Sequence, residues 1–153
     1  MRTQKQILTG TLAVVLGGGV LFSWSQVFAQ YLDFLGVYPS IFFFGQTIVP
    51  NPLLTPCLYG SVALLVSFVW ALTLWISFHE RSMRLLSYLL LFGVCFALLV
   101  LGYEALEYYH LVQFSVSISC SPGVHPLMTP CAGGFLFFLA SWLLSKAIRV
   151  HPW

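Results

Sequence analysis

The sequence predicts an all-α integral membrane protein, a four-transmembrane-helix bundle built from two parallel helical-hairpin repeats. Three observations carry that prediction. The chain is 59% hydrophobic and only 7% charged, with mean hydropathy +0.94. A soluble domain carries about a quarter charged residues, so this composition cannot cover a water-facing surface. Four apolar runs are long enough for a bilayer core of about 30 Å, which takes about 20 helical residues to cross. Finally, the stretch NPLLTPCLYG at 51–60 returns 74 residues later as HPLMTPCAGG at 125–134.

The spans run approximately over 7–29, 57–78, 85–103 and 130–148, and none holds a charge deep inside. Lys146 lies near the end of the fourth, where its stem can snorkel. Trp24, Trp75, Tyr103 and Trp142 fall towards span ends, where amphipathic rings prefer the interface. Arg2 and Lys5 precede the first span, Arg81 and Arg84 join the second to the third, and Lys146 and Arg149 close the fourth. With four spans all six cations share one side, and the positive-inside rule makes that side cytoplasmic. Asp33, Glu104 and Glu107 fall on the other. Both termini are then cytoplasmic, the loops at about 30–55 and 104–129 face outward, and a bacterial-type plasma membrane is the expected setting. Six cations make no basic face, which excludes nucleic acid. The rival for the first span is a cleaved signal peptide ending at Val27-Phe28-Ala29, leaving three spans. The length of the apolar run and its counterpart within the repeat favour retention.

Repeat 1 covers about 1–78 and repeat 2 about 79–153, in a single membrane domain. At the 74-residue offset Pro52, Leu53, Thr55, Pro56, Cys57 and Gly60 match Pro126, Leu127, Thr129, Pro130, Cys131 and Gly134. Gly19-Val20 with Gly93-Val94, Phe22 with Phe96, and Ser67 with Ser141 extend the match. Both copies start inside, so the repeats are parallel, related by an axis along the membrane normal. The glycines read as small surfaces for close helix approach. Thr is a good N-cap and Pro is favoured at the first helical position. That places Cys57 and Cys131 in a first turn, at one depth near the outer face.

These thiols have three possible uses. Cys57 and Cys131 form a structural disulfide if their Cα atoms lie about 5.5–6 Å apart. Alternatively two of Cys57, Cys120 and Cys131 exchange disulfides with a thiol-bearing periplasmic or extracellular protein. Or Cys57, Cys120, His125 and Cys131 hold a soft metal such as copper or zinc, though Cys120-x4-His125-x5-Cys131 fits no compact metal motif. Cys95, mid-span, reads as packing.

Pro56-Cys57-Leu58-Tyr59 at the start of the second span, with Cys120 and Cys131 in the second outer region, resembles the DsbB and vitamin K epoxide reductase-like membrane oxidoreductases. The resemblance implies a four-span bundle that passes electrons from protein thiols to a quinone. It carries over to Cys57 in the first loop and to Cys120 with Cys131 in the second. Gly60 stands where that family has the second cysteine of a Cys-x-x-Cys, and the arginine that usually follows is also absent.

Glu104, Glu107, Tyr108, Tyr109 and His110 cluster after the third span. The reading favours a solvated helix end over proton acceptors beside a thiol. The Phe-rich stretch 31–49 is expected to lie in the interface or over the bundle mouth. Residues 113–119, which alternate polar and apolar, suggest a strand or surface segment. The expected function is a membrane thiol–disulfide redox protein, a possible disulfide oxidoreductase, acting through Cys57, Cys131 and Cys120. The alternatives are a non-enzymatic membrane subunit or small transporter with structural cysteines, and a metal-handling protein.

Overall fold

In hydrocarbon no water satisfies the backbone, so each apolar run closes its own N–H and C=O groups by coiling into a helix. The computed structural model describes residues 2–38, 40, 51–111 and 124–150, with Arg2 and Thr3 by backbone alone. Four helices follow in order: α1 (Arg2–Val37), α2 (Pro56–Ile76), α3 (Glu80–Tyr108) and α4 (Pro130–Val150). A 3₁₀ turn, Pro126–Met128, precedes α4. All four helices are long and apolar enough to cross a membrane, and no strand occurs among the described residues. The segments 41–50 and 113–119, His151 and Cys120 lie outside the described residues.

Two helices outrun the expected spans. Residues 30–37 and 104–108, expected in loops, continue α1 and α3 as helix. At 36 residues and 1.5 Å per residue, α1 is about 54 Å long, well beyond a 30 Å core. The helix runs through Gly36 and ends at Val37, ahead of Tyr38, whose helical conformation Pro39 disfavours. At the other such end His110 adopts φ 56°. The Leu111 N–H donates to Leu106 O and the His110 N–H to Glu107 O, both at 3.0 Å, the two bonds of a Schellman stop.

Helix α1 packs on α2 and α4, and α3 packs on α4 and α2; α2 and α4 also meet across the middle, whereas α1 and α3 do not. This is the arrangement two parallel hairpins give around a central axis. The faces repeat every seven residues. Leu64 and Ala71 on α2, Met83, Leu90, Ala97 and Glu104 on α3, and Phe138 and Ser145 on α4 are buried. Val62, Val69 and Ile76 are exposed on α2, as are Leu85, Phe92 and Leu99 on α3 and Leu136 and Leu143 on α4. A seven-residue seam is the pattern of left-handed bundle packing. The outward stripes are apolar on every helix, a surface that lipid covers and water does not.

Small residues let the helices close. A Cβ on Gly93 would overlap the Phe138 ring, and one on Gly133 would overlap Phe22. Polar bridges add to this packing: Ser145 Oγ donates to Ser87 Oγ at 3.0 Å, joining α3 to α4. Trp70 Nε1 donates to Ser82 Oγ at 2.6 Å, joining α2 to α3.

The buried Phe138 ring, 2% exposed, has no room to retreat. Gly93→Ala is therefore expected to cost about 1–3 kcal/mol through overpacking. It should lower the thermal unfolding midpoint of the detergent-solubilised protein. Gly102→Ala on the same helix meets nothing within 4 Å and should leave the midpoint unchanged or raise it. Equal midpoints for the two variants would contradict the packing account.

Candidate functional site

The repeated decapeptide folds into the same turn twice. Leu53 N donates to Asn51 Oδ1 at 2.9 Å, and Leu127 N donates to His125 Nδ1 at 3.3 Å. Leu54 N bonds to Asn51 O at 2.9 Å and Met128 N to His125 O at 2.8 Å. Thr55 and Thr129 then stand at the helix starts, followed by Pro56 and Pro130, as the sequence predicts. The threonine hydroxyl departs from its expected role, since that of Thr55 makes no capping bond to α2. Instead it donates to Pro52 O at 2.9 Å, and that of Thr129 reaches Pro126 O at 2.8 Å. Both threonines are buried, and a buried hydroxyl proton needs an acceptor. The Pro52 carbonyl supplies it for Thr55, whereas the Thr129 proton has two acceptors at 2.8 Å, Pro126 O and Glu104 Oε2.

These two turns aim Cys57 and Cys131 at each other across the axis. Their Sγ atoms lie 3.6 Å apart, a contact well beyond the roughly 2.05 Å of an S–S bond. Cys131 is a thiol, and Cys57 is disulfide-bonded. The two expected site residues within the described part of the chain are thus brought together; Cys120 lies outside it. Cys95 is a second thiol, exposed on α3 rather than packed within the bundle.

Behind each cysteine stands a polar side chain from the neighbouring long helix. Thr129 Oγ1 lies 2.8 Å from Glu104 Oε2, and Glu104 also shares a hydrogen bond with the Cys131 thiol. At the equivalent place in repeat 1, Thr55 Oγ1 lies 3.5 Å from Gln30 Oε1. Gln30 and Glu104 are again 74 residues apart. The sequence held this pair, but a Gln–Glu match is not an identity and passes unnoticed. Glu104 is 4% exposed, which corrects the expectation of a solvated helix end. The continuation of α3 past the expected span keeps that face against the 3₁₀ turn. Tyr109, on the opposite side, is exposed as expected. Glu107 Oε2 is buried and has no hydrogen-bond partner among the described residues.

A cavity opens beside the sulfurs, lined by Cys57, Cys131, Pro56, Pro130, Gly60 and Gly134. The repeat symmetry holds in these pairs and fails deeper in. Ser23 and Gln26 line the repeat 1 wall, where Ala97 and Val100 line the repeat 2 wall. His125, considered as a metal ligand, uses Nδ1 as an acceptor within its own turn and packs edge-on against Tyr108, ring centroids 5.4 Å apart. Among the described residues no group of three or more His, Cys, Asp or Glu side chains is gathered for a metal ion.

The site therefore combines one thiol, one disulfide sulfur in contact with it, and one buried carboxylate hydrogen-bonded to the thiol. Set against protein-family models, curated proteins and solved structures, the chain matches none of them.

Proposed function

We propose that the protein is a membrane thiol–disulfide exchange protein working at the end of the bundle where α2 and α4 begin. The observation that carries this reading is the 3.6 Å contact between the Cys131 thiol and the sulfur of disulfide-bonded Cys57. Exchange proceeds by attack of a thiolate on a disulfide sulfur, and the attacking and attacked atoms are already neighbours. The chain has four cysteines; with Cys95 and Cys131 as thiols, the reading assigns Cys120 as the partner of Cys57. The Cys131 sulfur forms a bond to Cys57, and the Cys57–Cys120 bond breaks. Cys120 leaves as a thiolate carrying the electron pair, and the step is redox-neutral. Cys120 is then available to attack a disulfide in a periplasmic or extracellular protein, forming a mixed disulfide with one of its sulfurs and releasing the other as a thiolate.

The positive-inside distribution supports a placement of this end on the outer face, with both termini cytoplasmic. Disulfides persist on that side of a bacterial-type membrane. Gly60 lines the cavity where the resembling oxidoreductases carry the second cysteine of the dithiol that delivers electrons to quinone. The residues present do not fit that relay, and no step is routed through a quinone.

Quenching purified protein with acid and alkylating it before peptide mapping tests the exchange. Wild type in a glutathione redox buffer should contain both a Cys57–Cys120 and a Cys57–Cys131 bridge, in proportions that re-equilibrate after each change of buffer. Cys131→Ser should leave the first bridge alone, and Cys95→Ser should change nothing. A Cys131 that stays reduced at every redox poise sinks the proposal and leaves a static disulfide in a non-enzymatic membrane protein.

The placement has its own test in intact cells, using a cysteine-less background and a membrane-impermeant maleimide. Leu54→Cys, at a position 57% exposed beside the first turn of α2, should label from outside. His79→Cys, in the short α2–α3 connection, should label only after permeabilisation. The reverse pattern would turn the molecule over and rule out the proposed partner class.

A further inference from the structure

We infer that Glu104 is the proton acceptor for Cys131, so that the two repeats hold unequal parts: the second supplies the attacking sulfur and the first the sulfur attacked. The inference deepens the exchange reading and rests on it for its purpose. Three observations carry it. Glu104 is 4% exposed at the helix start that holds Cys131, and its carboxylate touches both Thr129 and the thiol. The equivalent position behind Cys57 is Gln30, an amide that cannot take a proton at neutral pH. The bundle thus repeats its threonine, proline and cysteine and changes the one group that decides which sulfur can lose a proton locally.

The geometry also orders the event. A thiol has one proton, and with that proton directed to the carboxylate a sulfur lone pair is left to face Cys57 Sγ at 3.6 Å. As the Cys131–Cys57 bond forms, the proton passes from Cys131 Sγ to a Glu104 carboxylate oxygen. The negative charge passes from the carboxylate to the departing thiolate. Net charge at the site is unchanged throughout, which matters because an extra buried charge is costly. Thr129 Oγ1, 2.8 Å from Glu104 Oε2, holds the carboxylate in place. Glu104 is the charged side chain that acts on Cys131. At the cavity α1 presents Ser23 and Gln26, α2 Ser61, and α3 Ala97 and Val100.

The test isolates Cys131 from exchange. In full-length protein with Cys57, Cys95 and Cys120 changed to Ser, the rate of iodoacetamide addition to Cys131 is followed by mass spectrometry from pH 6 to pH 9. With Glu104 present the rate should depend weakly on pH through the neutral range. In Glu104→Gln it should fall about a hundredfold at pH 7, the low end of what a positioned proton acceptor contributes. It should then climb about tenfold per pH unit, as it must when only solvent takes the proton. Glu104→Asp should lie between the two, and Glu107→Gln should match the parent. The Gln variant is expected to fold, since repeat 1 already carries Gln30 at this position, and an unchanged thermal midpoint checks it.

A carboxylate that merely repels the thiolate gives the opposite sign, because its removal favours the charged sulfur and speeds alkylation. Faster or unchanged alkylation in Glu104→Gln overturns the inference, as does equal slowing in Glu107→Gln. Because Cys57 is absent from this measurement, its result stands apart from that of the disulfide mapping. Slow alkylation in Glu104→Gln alongside a static Cys57 disulfide would refute exchange while leaving the proton transfer intact.

Discussion

Helices α2 and α4 begin with the same hydrogen-bonded turn, and that turn decides where two sulfur atoms go. Asn51 and His125 each accept a backbone N–H two residues on, and proline follows a buried threonine at both helix starts. Because the two helices also meet across the middle of the bundle, equal starts bring equal positions together. Cys57 and Cys131 reach contact at 3.6 Å as a consequence. A cysteine one residue earlier or later would point about 100° away around the helix. The Thr129 hydroxyl ties its start to the long helix behind it through Glu104 at 2.8 Å, and Gln30 stands at the equivalent place 3.5 Å from Thr55. The lengths of α1 and α3 matter for this reason, since their last two turns supply both residues.

Symmetry of the backbone is combined with asymmetry of the chemistry. Paired positions agree at the helix starts, where geometry must be equal for the sulfurs to meet. They differ where the surroundings set reactivity: carboxylate against amide behind the threonines, and Ala97 and Val100 against Ser23 and Gln26 along the cavity. Exchanging Gln for Glu behind the threonines barely alters volume, so the backbone stays symmetric while the polar group changes.

The rest of the bundle keeps this end rigid by means suited to lipid. Apolar burial contributes little to association between helices already dissolved in hydrocarbon, so close packing and interhelical hydrogen bonds take over. Gly93 and Gly133 admit phenylalanine rings against the backbone. The Ser145–Ser87 and Trp70–Ser82 bonds join neighbouring helices, each worth about 0.6 kcal/mol on the average for such bonds. Serines accordingly occupy the interior: Ser61, Ser67, Ser87, Ser141 and Ser145 are all buried.

Composition, four apolar runs and a repeated decapeptide determined the membrane class, the four-helix count, the hairpin repeat and the equivalence of Cys57 with Cys131. These follow from local chemistry: a backbone in hydrocarbon must be helical, and Thr-Pro starts a helix wherever it stands. Tertiary structure decided that the two cysteines touch, that Glu104 is buried behind one of them, and that the Thr55 hydroxyl turns back rather than caps. It also decided which face of each helix looks inward. Hydropathy could not reveal that face, because the lipid side and the core are both apolar and the interior is the more polar of the two. Nor could a search for identical residues find Gln30 opposite Glu104, since the position is set by shape and the two side chains differ in a single heavy atom.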